Sequence, residues 1–150
     1  MMKTIRNFEM KVRRVRIGEQ QPPYGQSIST PERVAEIAKT LIGECAQESF
    51  CVFLLDVKNL ITGYSEVGRG GIDSCPVDPR AVFRAAIATG ASSIIVAHNH
   101  PSGDPEPSRD DLDLTEKLSE GAELLGLTLL DHVIVTDEDT VSLRGRGLIA

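Results

Sequence analysis

The segment His98-Asn99-His100-Pro101, followed by Ser108-Arg109-Asp110-Asp111, concentrates the side chains best suited to chemistry. In an extended strand, residues two apart point to the same side, so His98 and His100 project together. Two imidazoles placed this way can grip one cation, and Pro101 lets the chain turn away after the second. Asp111 falls in the first turn of the next expected helix, where the helix dipole favours a carboxylate. A loop that returns this helix start to the strand end brings Asp111 beside the histidines. Two imidazoles and a carboxylate leave one tetrahedral position open, the pattern of a catalytic zinc site. Hydrolysis at such a site also needs a base. Glu48, immediately before the apolar run Ser49–Val57, is one choice, and Glu44, Glu66 and Asp73 are others.

Blander readings of the same residues exist. A histidine is often a surface residue or a satisfied core residue. Ser108 and Asp111 form a Ser-x-x-Asp capping box that alone accounts for both. Asp104 and Glu106 stand beside prolines in a loop, where solvation is the expected fate. His132, within LTLLDHVIV, reads first as a packing residue on the side of Leu130 and Ile134. The other reading is that it orients a ligand from behind.

The elements that must position these groups are legible as period and punctuation. Residues 10–17, MKVRRVRI, read as a strand, and residues 18–29, with Gly18, Pro22, Pro23 and Gly25, as a linker. Thr30-Pro31 opens a helix whose apolar stripe is Val34, Ile37, Ala38, Leu41, Ile42 and Cys45. Ser49–Val57 reads as a central strand covered on both faces. A turn at Lys58-Asn59 leads to an antiparallel partner over Leu60–Val67. Asp78-Pro79 starts a second helix with Val82, Phe83, Ala86 and Ile87 inward, closed by Gly90. A short buried strand, Ser93–Ala97, runs into the histidines. Ser108 begins a third helix carrying Leu112, Thr115, Leu118, Ala122 and Leu125, ended by Gly126. Leu127–Val135 is a further strand, and a turn at Asp137–Asp139 leads to a last short one. Strands mixed with three helices predict an α/β sandwich around a mixed sheet.

Composition narrows the classes. The chain has 150 residues, 41% hydrophobic and 25% charged, which suits one globular domain with a real core. No run approaches the roughly 18 apolar residues of a membrane helix. The first residues lack the apolar stretch of a secretion signal, so the cytoplasm is the expected compartment. Three cysteines, Cys45, Cys51 and Cys75, form no C-x-x-C pair and read as small apolar residues of a reducing compartment. The net charge of −6 hides an asymmetry: residues 1–16 carry six basic side chains against Glu9, and the rest carry ten basic and twenty-one acidic. Such an arm could touch nucleic-acid phosphate, or it could guard a strand edge with charge. The glycine-rich GRGGID lacks the spacing of a phosphate cradle.

His98-x-His100-Pro101 with Ser108-x-x-Asp111 resembles the JAMM motif of JAB/MPN-type metalloproteases. The fuller string HNHPSGDPEPS, with DHVIV downstream, is similar to the RadC branch of that superfamily. The resemblance covers about residues 30–147. It implies a three-layer-like, MPN/JAB-like architecture of the cytidine-deaminase-like kind over residues 30–150, behind a basic N-terminal strand and linker at 1–29. It implies Zn2+ as cofactor, held by His98, His100 and Asp111. Glu48 matches the general base, and Ser108 the serine that stabilises the tetrahedral oxyanion. The implied activity is a metallopeptidase or isopeptidase in which zinc-activated water attacks an amide of a peptide or protein substrate. Asn99 between the histidines follows the RadC branch, not the deubiquitinating relatives, so ubiquitin-type substrates are not implied. The RadC name carries an association with DNA repair. A DNA-associated module using the basic arm, and a non-catalytic MPN-like scaffold, are the alternative functions.

Overall fold

The computed structural model describes residues 30–43, 45–70 and 77–149. The strand and linker expected over residues 10–29, together with Glu44, Asp73 and Cys75, lie outside the described residues.

Thr30 caps the first helix, α1 (Pro31–Ala38), by accepting from the Arg33 amide, and a π-helical turn over Lys39–Gly43 extends it. The central strand follows as β1 (Ser49–Leu55), every residue of it buried. Asp56 then builds the turn, since its carboxylate accepts from the amides of both Lys58 and Leu60. The chain returns as β2 (Ile61–Arg69), two residues longer at its end than the sequence pattern suggested. Asp78 caps α2 (Pro79–Thr89), and Gly90 closes it at φ 65°, a left-handed conformation that glycine adopts without strain. β3 (Ser93–Asn99) runs through His98 and does not stop at Ala97. Ser108 caps α3 (Arg109–Leu124), after which come β4 (Thr128–Val135) and the short β5 (Thr140–Ser142).

The five strands form one mixed sheet in the order β2-β1-β3-β4-β5, with only the β3–β4 pair parallel. Alternation along β1 divides the core in two. Phe50, Val52 and Leu54 pack with Val82 and Ala86 of α2 and Leu118 and Ala122 of α3. Cys51, Phe53 and Leu55 pack with Val34, Ile37 and Ala38 of α1. Helices therefore cover both faces of the sheet, the expected α/β sandwich. Gly121 lets α3 approach α2 closely: a Cβ there would stand 2.7 Å from the Phe83 ring. Burial pushes the Cys51 thiol pKa well up, so this cysteine packs as an apolar group.

Two helices bury most of the expected face and depart from it at particular positions. On α3 the buried stripe is Asp111, Thr115, Leu118 and Ala122, while Leu112 and Leu125 are exposed. A carboxylate thus heads the inward stripe, because its partners lie inside and not in solvent. On α2, Ile87 is exposed, and Val82 and Ala86 carry the contact with the sheet.

β4 carries a further departure. Ile94 pairs with Leu129 but Ile95 pairs with Asp131, so Leu130 is an extra residue in the ladder. This bulge inverts the facing of everything after it. Leu130 packs on the α1 side, while His132 and Ile134 lie on the α2–α3 side. The expectation that His132 shares a side with Leu130 is corrected accordingly.

Candidate metal centre

The site is assembled by the sheet register. β1 and β3 are antiparallel with Phe50 opposite His98, which brings Glu48, just before β1, level with the end of β3. Asn99 secures that arrangement from the other face. Its side chain accepts from the Ser49 amide at 2.6 Å and donates to the carbonyls of Cys45 and Gln47 at 3.0 and 3.1 Å. The Glu48 carbonyl in turn accepts from the Gly70 amide, at the end of β2. The backbone on both sides of Glu48 is therefore tied to the residue between the two histidines.

Glu48, His98, His100 and Asp111 offer one ligand atom each, all within 4.8 Å of one another. His98 Nε2 lies 2.9 Å from His100 Nε2 and 3.1 Å from Asp111 Oδ1, and His100 Nε2 lies 3.3 Å from Asp111 Oδ2. Glu48 Oε1 is farther out, 3.9 Å from His98 Nε2. The capping box is present as well. Ser108 N donates to Asp111 Oδ2 at 2.7 Å, and Ser108 Oγ accepts from the Asp111 amide at 3.1 Å. The capping and site-forming roles of Ser108 and Asp111 coexist in one geometry. Ser108 uses only acceptor capacity in its cap, so these bonds do not consume its hydroxyl hydrogen.

Each histidine is held from behind. His100 Nδ1 lies 2.8 Å from the Asp104 carbonyl oxygen, which can only accept, so Nδ1 carries the hydrogen and Nε2 points a lone pair at the cluster. His98 is completely buried, stacked on Phe50 with ring centroids 5.5 Å apart. Its Nδ1 lies 2.8 Å from Nε2 of His132. His132, also completely buried, has its Nδ1 2.6 Å from Thr115 Oγ1. The role of His132 is thus contact with His98, beyond packing alone.

The cluster is short of positive charge. Burial pushes the Asp111 carboxyl up, but the hydrogen bonds with His100 and His98 outweigh it and hold that carboxyl well below the usual carboxylate range. The bond with Asp111 raises the His100 imidazole, against the smaller effect of its burial. Either a proton or a cation fits between these groups. The donor set suits a metal: in a tetrahedral site with bonds of about 2.0–2.1 Å, neighbouring donor atoms stand about 3.3–3.4 Å apart. The observed 2.9–3.3 Å separations among the two imidazoles and the carboxylate are close to that spacing.

The other residues singled out lie elsewhere. Glu66 is paired with Arg69 on β2, at 2.9 and 3.0 Å. Asp104 serves through its backbone carbonyl. Glu106 pairs bidentately with Arg146 at 2.7 Å. Asn99, Thr115 and Phe50 are site residues that sequence reasoning passed over as such. Signals existed for two of them: a residue between two convergent histidines must face the opposite layer, and Thr115 stands one helical turn after Asp111.

Among the described residues, no helix is long and apolar enough to cross a membrane. Residues 28–148 match the family described as the RadC-like JAB domain. UPF0758 proteins are similar across most of this chain. That of Clostridium beijerinckii is 40% identical over 122 residues, covering 81% of this chain and 53% of the relative. That of Caldanaerobacter subterraneus is 43% identical over 121 residues, covering 81% and 52%. That of Methanosarcina mazei is 42% identical over 124 residues, covering 83% and 54%. The chain spans about half the length of these curated relatives, and their names state no activity. With the family match running through the whole described sheet and the candidate metal ligands, the chain belongs to the RadC-like JAB domain family.

Proposed function

We propose that this protein is a zinc-dependent hydrolase that cleaves an amide bond in a peptide or protein, as a metallopeptidase or isopeptidase. The observation that carries the reading is the convergence of two imidazole nitrogens and the Asp111 carboxylate at 2.9–3.3 Å, with the Glu48 carboxylate at their edge. His98, His100 and Asp111 hold the metal. When bound, a zinc-type cation supplies Lewis acidity, polarising a carbonyl and acidifying water.

Glu48 handles the proton. Its side chain is 23% exposed, against 0% for His98, so it is the member of the cluster most open to water. It takes a proton from the attacking water as the new carbon–oxygen bond forms. It returns that proton to the amine nitrogen as the carbon–nitrogen bond breaks. Asn99 keeps Glu48 in place through the backbone on both sides of it. Ser108 directs its hydroxyl hydrogen to the oxyanion of the tetrahedral intermediate, while the Asp111 amide continues to donate to its oxygen.

The test combines metal content with turnover. Protein purified without added metal, measured by plasma mass spectrometry, is expected to hold about one zinc per chain, and His98→Ala to lose most of it. Glu48→Gln is expected to keep the metal and to abolish cleavage of a defined peptide library read by mass spectrometry. Wild-type protein without stoichiometric metal, or an unaffected cleavage pattern in Glu48→Gln, overturns the reading.

A further inference from the structure

A buried hydrogen-bond circuit runs from one candidate ligand to another through residues that touch no ligand position. Thr115 Oγ1 lies 2.6 Å from the Asp111 backbone carbonyl, one turn earlier on α3. Two oxygens that close must share a hydrogen, and the carbonyl has none, so the Thr115 hydroxyl donates there. Having spent its only hydrogen, Thr115 Oγ1 can only accept from His132 Nδ1, at 2.6 Å. His132 is then the Nδ1–H tautomer, and its Nε2 is an acceptor. His98 Nδ1, 2.8 Å away, must supply the hydrogen. In the neutral ring, Nε2 then keeps a lone pair, 2.9 Å from His100 Nε2 and 3.1 Å from Asp111 Oδ1. One rotor, the Thr115 hydroxyl, therefore dictates the protonation pattern of two rings in sequence.

We infer that His132 is a positioning residue that locks His98 in the Nδ1–H tautomer, so that Nε2 always presents its lone pair to the metal. The inference rests on the metal site proposed above. The more common supporter of a ligating histidine is a carboxylate, a backbone carbonyl or water. A carboxylate in this position would be a second buried anion beside Asp111, walled in by Phe50, whose ring lies edge-on to His132 at 5.4 Å. A neutral imidazole accepts the same hydrogen without adding charge, and it hands its own hydrogen to α3. Placement depends on the β4 bulge. Were Leu130 paired with Ile95 in a regular ladder, Asp131 would pair with Val96 and His132 would face α1.

The sharpest test is the tautomer itself, which needs neither metal nor substrate. In the metal-free wild-type 150-residue chain at pH 8, the imidazole 15N shifts of His98 are expected to show hydrogen on Nδ1 and a bare Nε2. Thr115→Val, which removes the rotor, is expected to admit the opposite tautomer. A wild-type His98 protonated on Nε2 overturns the inference. The second test is zinc affinity by competition with a chromophoric chelator. His132→Leu is expected to weaken binding about 10–100-fold. His132→Gln, whose amide oxygen can still accept from His98, is expected to regain most of that loss. Unchanged affinity in a folded His132→Leu, or no advantage of Gln over Leu when both melt alike, also overturns it. Should His132→Leu fail to fold, the wild-type shifts still decide. Wild-type protein that binds zinc, shows the Nδ1–H tautomer and cleaves nothing sinks the hydrolase reading and leaves this one standing.

Discussion

His98 and His100 stand two residues apart and converge on one point, but they are held by different kinds of structure. Behind His98 are only core side chains: Phe50 against its ring, then His132, then Thr115, all buried on strands and a helix. Behind His100 is a loop. Its Nδ1 meets the Asp104 carbonyl in the exposed segment between β3 and α3, and its own side chain is 14% exposed. One imidazole is built into the fold, whereas the other is delivered to it. The site therefore has a rigid wall and an adjustable one, and damage to each should have a different signature.

The largest effect follows from removing each ligand in turn. His98→Ala and His100→Ala should both lose most bound metal. In the metal-free state they should diverge. His98→Ala leaves His132 Nε2 without its donor and opens a void against Phe50, destabilising the fold by about 3 kcal/mol. His100→Ala loses contacts at the partly exposed rim of the cluster, at about 1 kcal/mol or less. Urea melts of both variants in the presence of chelator check this. Equal destabilisation would show that His98 is no more part of the core than His100.

That contrast was only half legible in the sequence. The spacing of His98 and His100 and the Ser108–Asp111 box are local patterns, and local geometry carries them into the structure unchanged. The caps at Thr30 and Asp78 and the stop at Gly90 are of the same kind. What supports His98 is not local. Leu130 looks like any strand residue, and its extra place in the ladder exists only relative to β3, so alternation rightly put His132 with Ile134 but wrongly added Leu130 to that side. The stripe on α3 held at Thr115, Leu118 and Ala122 and missed at its two ends, because Leu112 and Leu125 are exposed while Asp111, placed beside the histidines from its position in the first turn, heads the buried row. The basic arm at residues 1–16 raised a phosphate-binding alternative that rests on charge alone and lies outside the described residues.

Asn99, between the two histidines, shows how the rigid wall reaches Glu48, the proposed base. Asn99→Ala breaks three hydrogen bonds with the backbone around Glu48, one of them buried at 2.6 Å. We expect destabilisation of about 2–3 kcal/mol. We also expect metal to be retained and turnover to fall by up to about 100-fold, because a displaced base loses its alignment. Metal analysis beside a cleavage assay separates this from ligand loss. Retained turnover would mean that Glu48 needs no clamp.

The adjustable wall should reveal itself through pH. In metal-free protein the Asp111 bond raises His100, so its contribution to stability is complete below the unfolded value near 6.5 and fades as pH rises through the higher folded value. Asp111 is lowered, with burial opposing and the two histidines prevailing, so its contribution holds above about 3.8 and is lost only in stronger acid. Burial lowers His132 and keeps its ring neutral, so His132 costs stability as pH falls below about 6.5. The metal-free protein should thus be most stable near pH 6.5, losing stability below it through His132 and above it through His100. Zinc competes with the His100 proton, so the stability added by zinc should increase over the same rise in pH. Thermal melts from pH 5.5 to 8.5, with chelator and with zinc, check both slopes. Parallel slopes would mean that no proton is displaced from His100.

The smallest effect concerns what steadies the loop itself. Glu106, two residues beyond Asp104, is clamped to Arg146 by two 2.7 Å bonds, and Asp104 Oδ1 accepts from the Glu106 amide. The pair is exposed, and exposed pairs add little to global stability. Its effect is local: it limits the freedom of the loop that presents the Asp104 carbonyl to His100. Glu106→Gln should therefore leave the thermal midpoint nearly unchanged and weaken zinc binding by no more than a few-fold, with the shift shrinking as salt screens the wild-type pair. His98 should not sense the change, since its support runs through the core, so its 15N shifts should match wild type while those of His100 broaden or move. A perturbation reaching both rings equally would show that the two walls act as one body.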